Sequence, residues 1–331
     1  MRIFDRSDRT TAFIAAIVSS ALVTAGSSPA IGQSAADWPN KTVRIIVNFA
    51  AGGSADNTAR PFAERLTKAL GQQFIVENRG GATGALGLEA VMKAAPDGYT
   101  FALTPSISLV ILPHLRKTPY DPLKDFVPVS IISDGTLLLA VHPSIPAKTV
   151  PEFIAHAKAN PGKLSWGTAG IGSFGHLMTE AVKLAAGLDI LHVPYRGGAE
   201  SLADFLSGVH QIHADPNTFP HIAAGKATLL AVLDRKRHPD YPDVPLLKDF
   251  LPEIDFVVWF GVYAPPGTPD AIVRKFSAEI AKVARDPTME PFLRKLALAP
   301  NGSSPEELAA ATSKDHERLG ALIRKLNIKA D

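Results

Sequence analysis

Residues 43–60 read VRIIVNFAAGGSADNTAR, and the rest of the chain is organised around them. Val43, Ile45, Ile46 and Val47 form a short, β-branched apolar run, the pattern of a buried strand. The run ends at Phe49, and Gly52 and Gly53 follow. Ser54 or Asp56 is then placed to cap a helix running through Ala59, Phe62, Ala63, Leu66 and Leu70. A strand, a glycine turn and a helix start leave unpaired backbone N–H groups at the positive end of the helix dipole, which is an anion site. The turn contains no Lys or Arg, and Arg60 already lies within the helix. An anion here is therefore held by N–H groups and hydroxyls, which suits a carboxylate. Taken alone, the stretch reads first as an ordinary βα turn. The functional reading depends on a second turn of the same kind.

Upstream, residues 1–35 read as a cleaved secretory signal peptide. Arg2, Arg6 and Arg9 are followed by the uncharged stretch Thr11–Gly26 and by small residues, with plausible cuts after Ala30 or Ala35. That stretch is shorter than the roughly 20 residues a membrane span needs. The chain has no cysteine, so disulfides and lipid attachment through Cys are excluded and the core alone must stabilise the fold. The roughly 295 residues that remain are enough for two lobes. The whole chain carries 34 Lys and Arg against 32 Asp and Glu, and three of the basic and two of the acidic residues fall within 1–35. With the remainder nearly neutral and no long basic run, nothing supports nucleic-acid binding.

Downstream, Phe74–Val76 reads as a strand, Ala85–Ala95 as a helix and Tyr99–Leu103 as a third strand. This β-α-β-α-β order predicts a mostly parallel sheet covered by helices. The loop carrying Ser106 leaves the third strand at the same sheet edge as the 49–56 turn, where open α/β sheets bind ligands. Leu137–Val141 and Val257–Tyr263 are alike in context, each an apolar strand, a Pro-rich turn and a helix start at Thr149 or Thr268. They read as paired crossings between two lobes. Lobe one is then 36–139 plus 257–331, and lobe two is 140–256, inserted. Lobe two repeats the theme, with a strand ending at Thr168, the loop Gly170-Ile171-Gly172-Ser173-Phe174-Gly175 and a helix from His176 to Ala186. A strand at Ile190–Val193 ends in Pro194-Tyr195-Arg196-Gly197-Gly198, and a strand at Val209–Ala214 leads to Asp215-Pro216-Asn217-Thr218.

The 170–175 loop matches G-x-G-x-x-G. A dinucleotide site also wants an acid at the end of the next strand, where Pro194-Tyr195-Arg196 stands instead. A Ser173–His176–Asp215 triad is conceivable, but the elbow pattern G-x-S-x-G fails at Ile171. Ser173 is better read as a helix N-cap. His210 and His213, three apart on a strand, are expected on opposite faces and make a poor metal pair. No cofactor, metal or catalytic residue is assigned, and the chain reads as a non-enzyme. What remains is one Gly-rich strand-to-helix turn per lobe, each suited to an anion and able to grip opposite ends of one small polyanion by hinged closure.

The stretches WPNKTVRIIVNFAAGGSADNTAR, VENRGGATGALG, AAPDGYTFAL, NPGKLSWGTAGIGSFGHL, HVPYRGGAESLADFLSG, PHIAAGK and GVYAPPGTP occur in this order. Over residues 38–331 the chain resembles the tripartite tricarboxylate transporter substrate-binding family, also called the Bug receptors. The resemblance implies a periplasmic α/β protein of the two-lobed type II (Venus-flytrap) binding fold. It would act as a monomer and capture a small mono-, di- or tricarboxylate or aromatic acid. It would deliver that acid to the integral membrane subunits of a tripartite tricarboxylate transporter. Carried over, the ligand-binding positions are Phe49, Gly52, Gly53, Ser54 and Asp56, with Thr168, Gly170, Gly172 and Ser173 at the far end. Ser106 joins them at the sheet edge, and Tyr195, Asp215 and Asn217 line the cleft floor. Ala50 and Ala51 replace two prolines usual in the family, Gly80-Gly81-Ala82-Thr83-Gly84 replaces Pro-Gly-Ala-Gly-Gly, and Ala214 replaces a larger apolar residue. A carboxylate sensor contacting a membrane kinase, and a secreted hydrolase, are the alternatives.

Overall fold

A computed structural model describes residues 37–328. The expected signal peptide lies outside the described residues. In chain order the strands are β1 Val43–Val47, β2 Phe74–Asn78, β3 Thr100–Pro105, β4 Val127–Gly135, β5 Leu137–Val141 and β6 Ser165–Thr168. They continue as β7 Leu191–Pro194, β8 Ile212–His213, β9 Thr228–Leu233, β10 Val258–Ala264 and β11 Leu298–Pro300. The helices are α1 Ser54–Leu70, α2 Ala85–Met92, α3 Ile107–Val110, α4 Leu112–Leu115, α5 Val150–Ala159 and α6 Phe174–Ala186. After them come α7 Gly198–Leu206, α8 Phe219–Ala223, α9 Asp270–Ala284, α10 Glu290–Arg294 and α11 Pro305–Lys325. Among the described residues no helix is long and apolar enough to cross a membrane.

Two sheets result, each covered by helices. The first has strand order β11-β4-β10-β3-β1-β2 and the second β7-β6-β8-β5-β9. Both are mixed rather than mostly parallel. Strand β1 is parallel to β2 and β3, and β6 is parallel to β7 and β8, because these strands are joined through helices. The remaining pairings, β10 with β3 and β4, β11 with β4, and β5 with β8 and β9, are antiparallel. Strands β5 and β10 enter each from the other sheet, with no crossover helix to impose a parallel sense.

The stretches 137–141 and 257–263, read as the crossings between lobes, are strands of different sheets. Strand β5 lies wholly in the second sheet, and β10 pairs with β3 and β4 in the first. The chain passes from the first sheet to the second at Thr136, between β4 and β5. Strand β4 escaped the sequence reading because Pro128, Ser130, Ser133 and Asp134 interrupt its apolar pattern. Two of its buried polar residues find partners far along the chain, while Ser133 Oγ is buried without one. Ser130 Oγ donates to the Ser303 carbonyl at 2.7 Å, and Asn301 Nδ2 donates to Asp134 at 2.7 Å.

Aromatic rings fill the space between the first sheet and helices α1 and α9. The Phe101 and Phe276 centroids are 4.5 Å apart, and Trp38 and Phe276 are 5.4 Å apart. Burying a side chain of this size stabilises the fold by about 1.5–3 kcal/mol. The opposite face of the first sheet packs Leu88, Val91, Leu109 and Leu319 into a core that continues to Leu139, Trp166 and Met178 of the second-sheet half. A smaller cluster of Leu138, Ala140, Phe205 and Ala227 lies under α7.

Candidate functional site

The turn after β1 places its donors as the sequence predicts but caps the helix differently. Neither Ser54 nor Asp56 caps α1. The N-cap is Gly53, and no side chain accepts from the helix start. Asp56 lies in the first turn, buried, and reaches backwards to accept the Gly52 N–H at 2.9 Å. Arg60, one turn on, meets the same carboxylate at 2.8 Å. Burial alone would raise the Asp56 pKa, but the bonds from Arg60 and Gly52 outweigh it and hold the carboxyl below its ordinary value. Arg60's charge is thereby spent on Asp56, and the first-turn N–H groups of α1 remain the turn's open donors. Phe49 stands at the strand end with its carbonyl accepting from Asn78 Nδ2 at 3.1 Å.

The turn after β6 is engaged internally. Ser173 is the N-cap of α6, and its hydroxyl accepts the His176 N–H at 3.1 Å. The His176 ring reaches back, and its Nδ1 accepts the Gly172 N–H at 3.1 Å. The pair differs from a capping box in that the imidazole accepts from the residue before the N-cap rather than from the N-cap's own N–H. Thr168 is buried, with Oγ1 2.7 Å from His192 Nε2 and its carbonyl accepting the Tyr195 N–H at 3.0 Å. Gly172 has φ +78°, and a Cβ there would lie 2.7 Å from Leu115 Cδ1, at the end of α4. The second turn therefore touches the helices that follow β3 of the first sheet.

The predicted floor residues gather beside this second turn. The Tyr195 carbonyl approaches Gly170, whose added Cβ would lie 2.9 Å from it. The Tyr195 hydroxyl donates to Asp204 at 2.8 Å, and burial, then that bond, pushes its pKa up to about 12. Asp215 accepts the Asn217 N–H at 3.1 Å, and burial pushes its carboxyl above the ordinary range. Asn217 Nδ2 donates to the Gly198 carbonyl at 2.9 Å, while its Oδ1 is buried with no hydrogen-bond partner. Ser106 turns away from this group. It is buried, its N–H donates to the Trp259 carbonyl at 2.8 Å and its hydroxyl accepts the Trp259 N–H, so it stitches β3 to β10.

The sequence reading recognised the turn after β2 but left it out of the site, and it stands against the first turn. A Cβ at Gly80 would lie 3.4 Å from the Ala50 nitrogen. Ala82 and Thr83 in the same turn both adopt left-handed backbone, at φ 49° and 55°. Buried Asn48 donates to the Gly84 carbonyl at 3.1 Å and to Ser108 Oγ at 3.0 Å, and Ser108 donates on to the Thr83 carbonyl at 3.2 Å. A polar Asn closing an apolar strand was the available signal.

The other chemistries find no support in the geometry. Ser173 and His176 meet through a backbone N–H rather than through Oγ and a ring nitrogen, so the imagined triad does not form. His210 and His213 do not face opposite ways. Strand β8 is only Ile212–His213, and the two rings stack 5.7 Å apart around Ser201. His176, Glu180 and His192 offer ligand atoms within 4.8 Å of one another. The two imidazoles lie parallel at 4.1 Å with 12° between planes, so their in-plane lone pairs run side by side instead of converging on an ion. Lys183 already holds Glu180 at 2.8 Å.

Comparison with known proteins places this geometry in context. A family profile described as "Tripartite tricarboxylate transporter family receptor" matches residues 58–328. Protein BugT of Bordetella pertussis is 31% identical over 322 residues, covering 95% of this chain and 97% of BugT. The structure of periplasmic binding protein BugD superposes with a TM-score of 0.74 at 31% identity, covering 89% of this chain and 100% of that one. R. palustris Rpa4515 with adipate superposes with a TM-score of 0.77 at 33% identity, covering 88% and 99%. The chain belongs to the tripartite tricarboxylate transporter receptor family and has the fold of its periplasmic binding proteins, with two helix-flanked sheets.

Proposed function

We propose that this protein is a periplasmic receptor that captures a small carboxylate between two lobes and delivers it to the membrane subunits of a tripartite tricarboxylate-type transporter. The observation that carries the reading is the uncapped start of α1, whose first-turn N–H groups are open while Asp56 and Arg60 neutralise each other. One ligand carboxylate docks there, and the lobe-two turn of Thr168, Gly170, Gly172 and Ser173 meets the far end. Tyr195, Asp215 and Asn217 line the floor between. The contact of Leu115 with Gly172 supports lobes that meet across a cleft. The adipate held by the R. palustris relative is an acid of this class. The protein binds without turnover, because Ser173 and His176 are committed to capping α6.

A thermal-shift screen of organic acids against their amides and methyl esters tests this. A ligand at about 100 times its Kd adds roughly 2.7 kcal/mol of stability, a rise of several degrees in a chain this size. Acids should stabilise and neutral analogues should not; equal stabilisation by both overturns the reading. Uptake assays with and without the protein separate transport from sensing through a membrane kinase.

A further inference from the structure

We propose that Arg116 is a specificity-determining residue of this cleft, reading a second carboxylate on the ligand and favouring dicarboxylates over monocarboxylates. The inference rests on the carboxylate-receptor reading and adds to it a cation that the two glycine turns lack.

Arg116 directly follows α4, and its contacts place it between the turns. Nη2 donates to Thr83 Oγ1 at 3.2 Å, and Thr83 belongs to the 80–84 turn that stands against Ala50. Leu115, one residue earlier, meets Gly172 of the second turn. The wall between the two anion-suited turns therefore carries a guanidinium. Thr83 is itself anchored by the neighbouring network. Its backbone is left-handed, which is unfavourable for a residue with a Cβ, and Ser108, itself bonded to Asn48, donates to its carbonyl.

Two of the nearby arginines are already committed. Arg60 is held by Asp56 at 2.8 Å and Arg79 by Glu77 at 2.6 Å. Arg196 makes only a backbone bond to Glu200, at 3.2 Å, and belongs to the turn after β7, whereas Arg116 reaches the 80–84 turn beside the first glycine turn. Arg116 is exposed, makes no ion pair among the described residues, and spends one donor on a neutral hydroxyl. A guanidinium has five N–H donors in a planar fork that matches a carboxylate, so the rest remain for an anion. Exchanging the threonine hydroxyl for a carboxylate replaces a neutral bond by a charge-assisted one. Backbone N–H groups hold the first carboxylate with partial charges only, so the added charge is felt by the second.

The test is calorimetric titration of the purified protein, wild type, Arg116→Gln and Arg116→Lys. The probes are succinate and adipate, with butyrate and hexanoate as their monocarboxylate counterparts. The wild type should bind at least one dicarboxylate tenfold or more tighter than the monocarboxylate of the same length. Arg116→Gln should lose most of that preference by weakening the dicarboxylate tenfold or more while leaving the monocarboxylate within about threefold, and Lys should restore part of it. A wild type that does not prefer the dicarboxylate, or a variant that weakens both acids equally or neither, overturns the assignment while acid binding itself survives. Failure of every acid to bind the wild type, or equal binding of the dimethyl esters, overturns the receptor reading and this inference with it.

Discussion

The two Gly-rich turns share a sequence plan of apolar strand, glycines, a hydroxyl residue and an amphipathic helix, yet they are wired in opposite ways. At the first, α1 starts at an uncapped glycine, and the nearest carboxylate points back into the turn, neutralised by Arg60. At the second, Ser173 and His176 exchange two hydrogen bonds with the backbone and close the helix start before any ligand arrives. One turn offers free donors, and the other offers a rigid edge whose Gly172 N–H is held by an imidazole. Resemblance of sequence between two turns in one chain is therefore no guide to which donors are free.

The largest test of this contrast is Gly53→Pro. Gly53 has φ −74°, which proline adopts, and its N–H makes only a 3.3 Å contact with the Ala50 carbonyl. The variant should keep the wild-type melting temperature within a few degrees and weaken carboxylate binding about tenfold or more in titration, because the proline ring takes up space beside the open first-turn N–H groups. Retained affinity would mean that the first turn is not the anchor.

A pH series separates the turns next. His176 accepts from Gly172 only while neutral, and burial lowers its pKa. His192, beside it, is pushed down to about 4 by burial and by His176, and His213 to about 3 by burial and His210. These groups stay neutral in the fold but take up protons on unfolding below about 6.5. Their contribution to stability is complete above that value and is lost as the pH falls towards 4. Asp134 and Asp215, raised by burial, act in the opposite sense at the acid end. The melting temperature should fall by several degrees between pH 7.5 and 5, and His192→Gln should flatten the slope. The first turn, held by an ionised Asp56, should contribute nothing to the slope over that range. An unchanged slope in the variant would remove the imidazoles from the account.

The smallest effect compares two serines. Ser173→Ala deletes a helix cap and should cost about 1 kcal/mol, a drop of roughly 2–4 °C, whereas Ser54→Ala at the exposed, uncapped start of α1 should cost less than about 0.5 kcal/mol. Equal losses in thermal denaturation would show that the two helix starts do not differ as described.

Much of this molecule is legible in one dimension, because it rests on local chemistry. The β-branched run 43–47, the glycine turns, the Ser173 cap and the capping box at Ser304 and Glu307 are all short-range patterns, and each forms where its residues stand. Pairing across the chain is a different matter. Strand β4 hides Ser130 and Asp134 against Ser303 and Asn301, more than 160 positions away, and Ser106 is drawn from the sheet edge into a bond with Trp259. No window of sequence contains those partners. The sequence by itself determined the α/β class, the two glycine turns and the family. Only the tertiary structure decided which donors are already spent, that β5 and β10 lie in different sheets, and that Arg116 stands between the turns without an acidic partner among the described residues. The reason is physical: a strand or cap is fixed by neighbours within a few residues, whereas a buried polar group is satisfied by whatever the fold brings within hydrogen-bond distance.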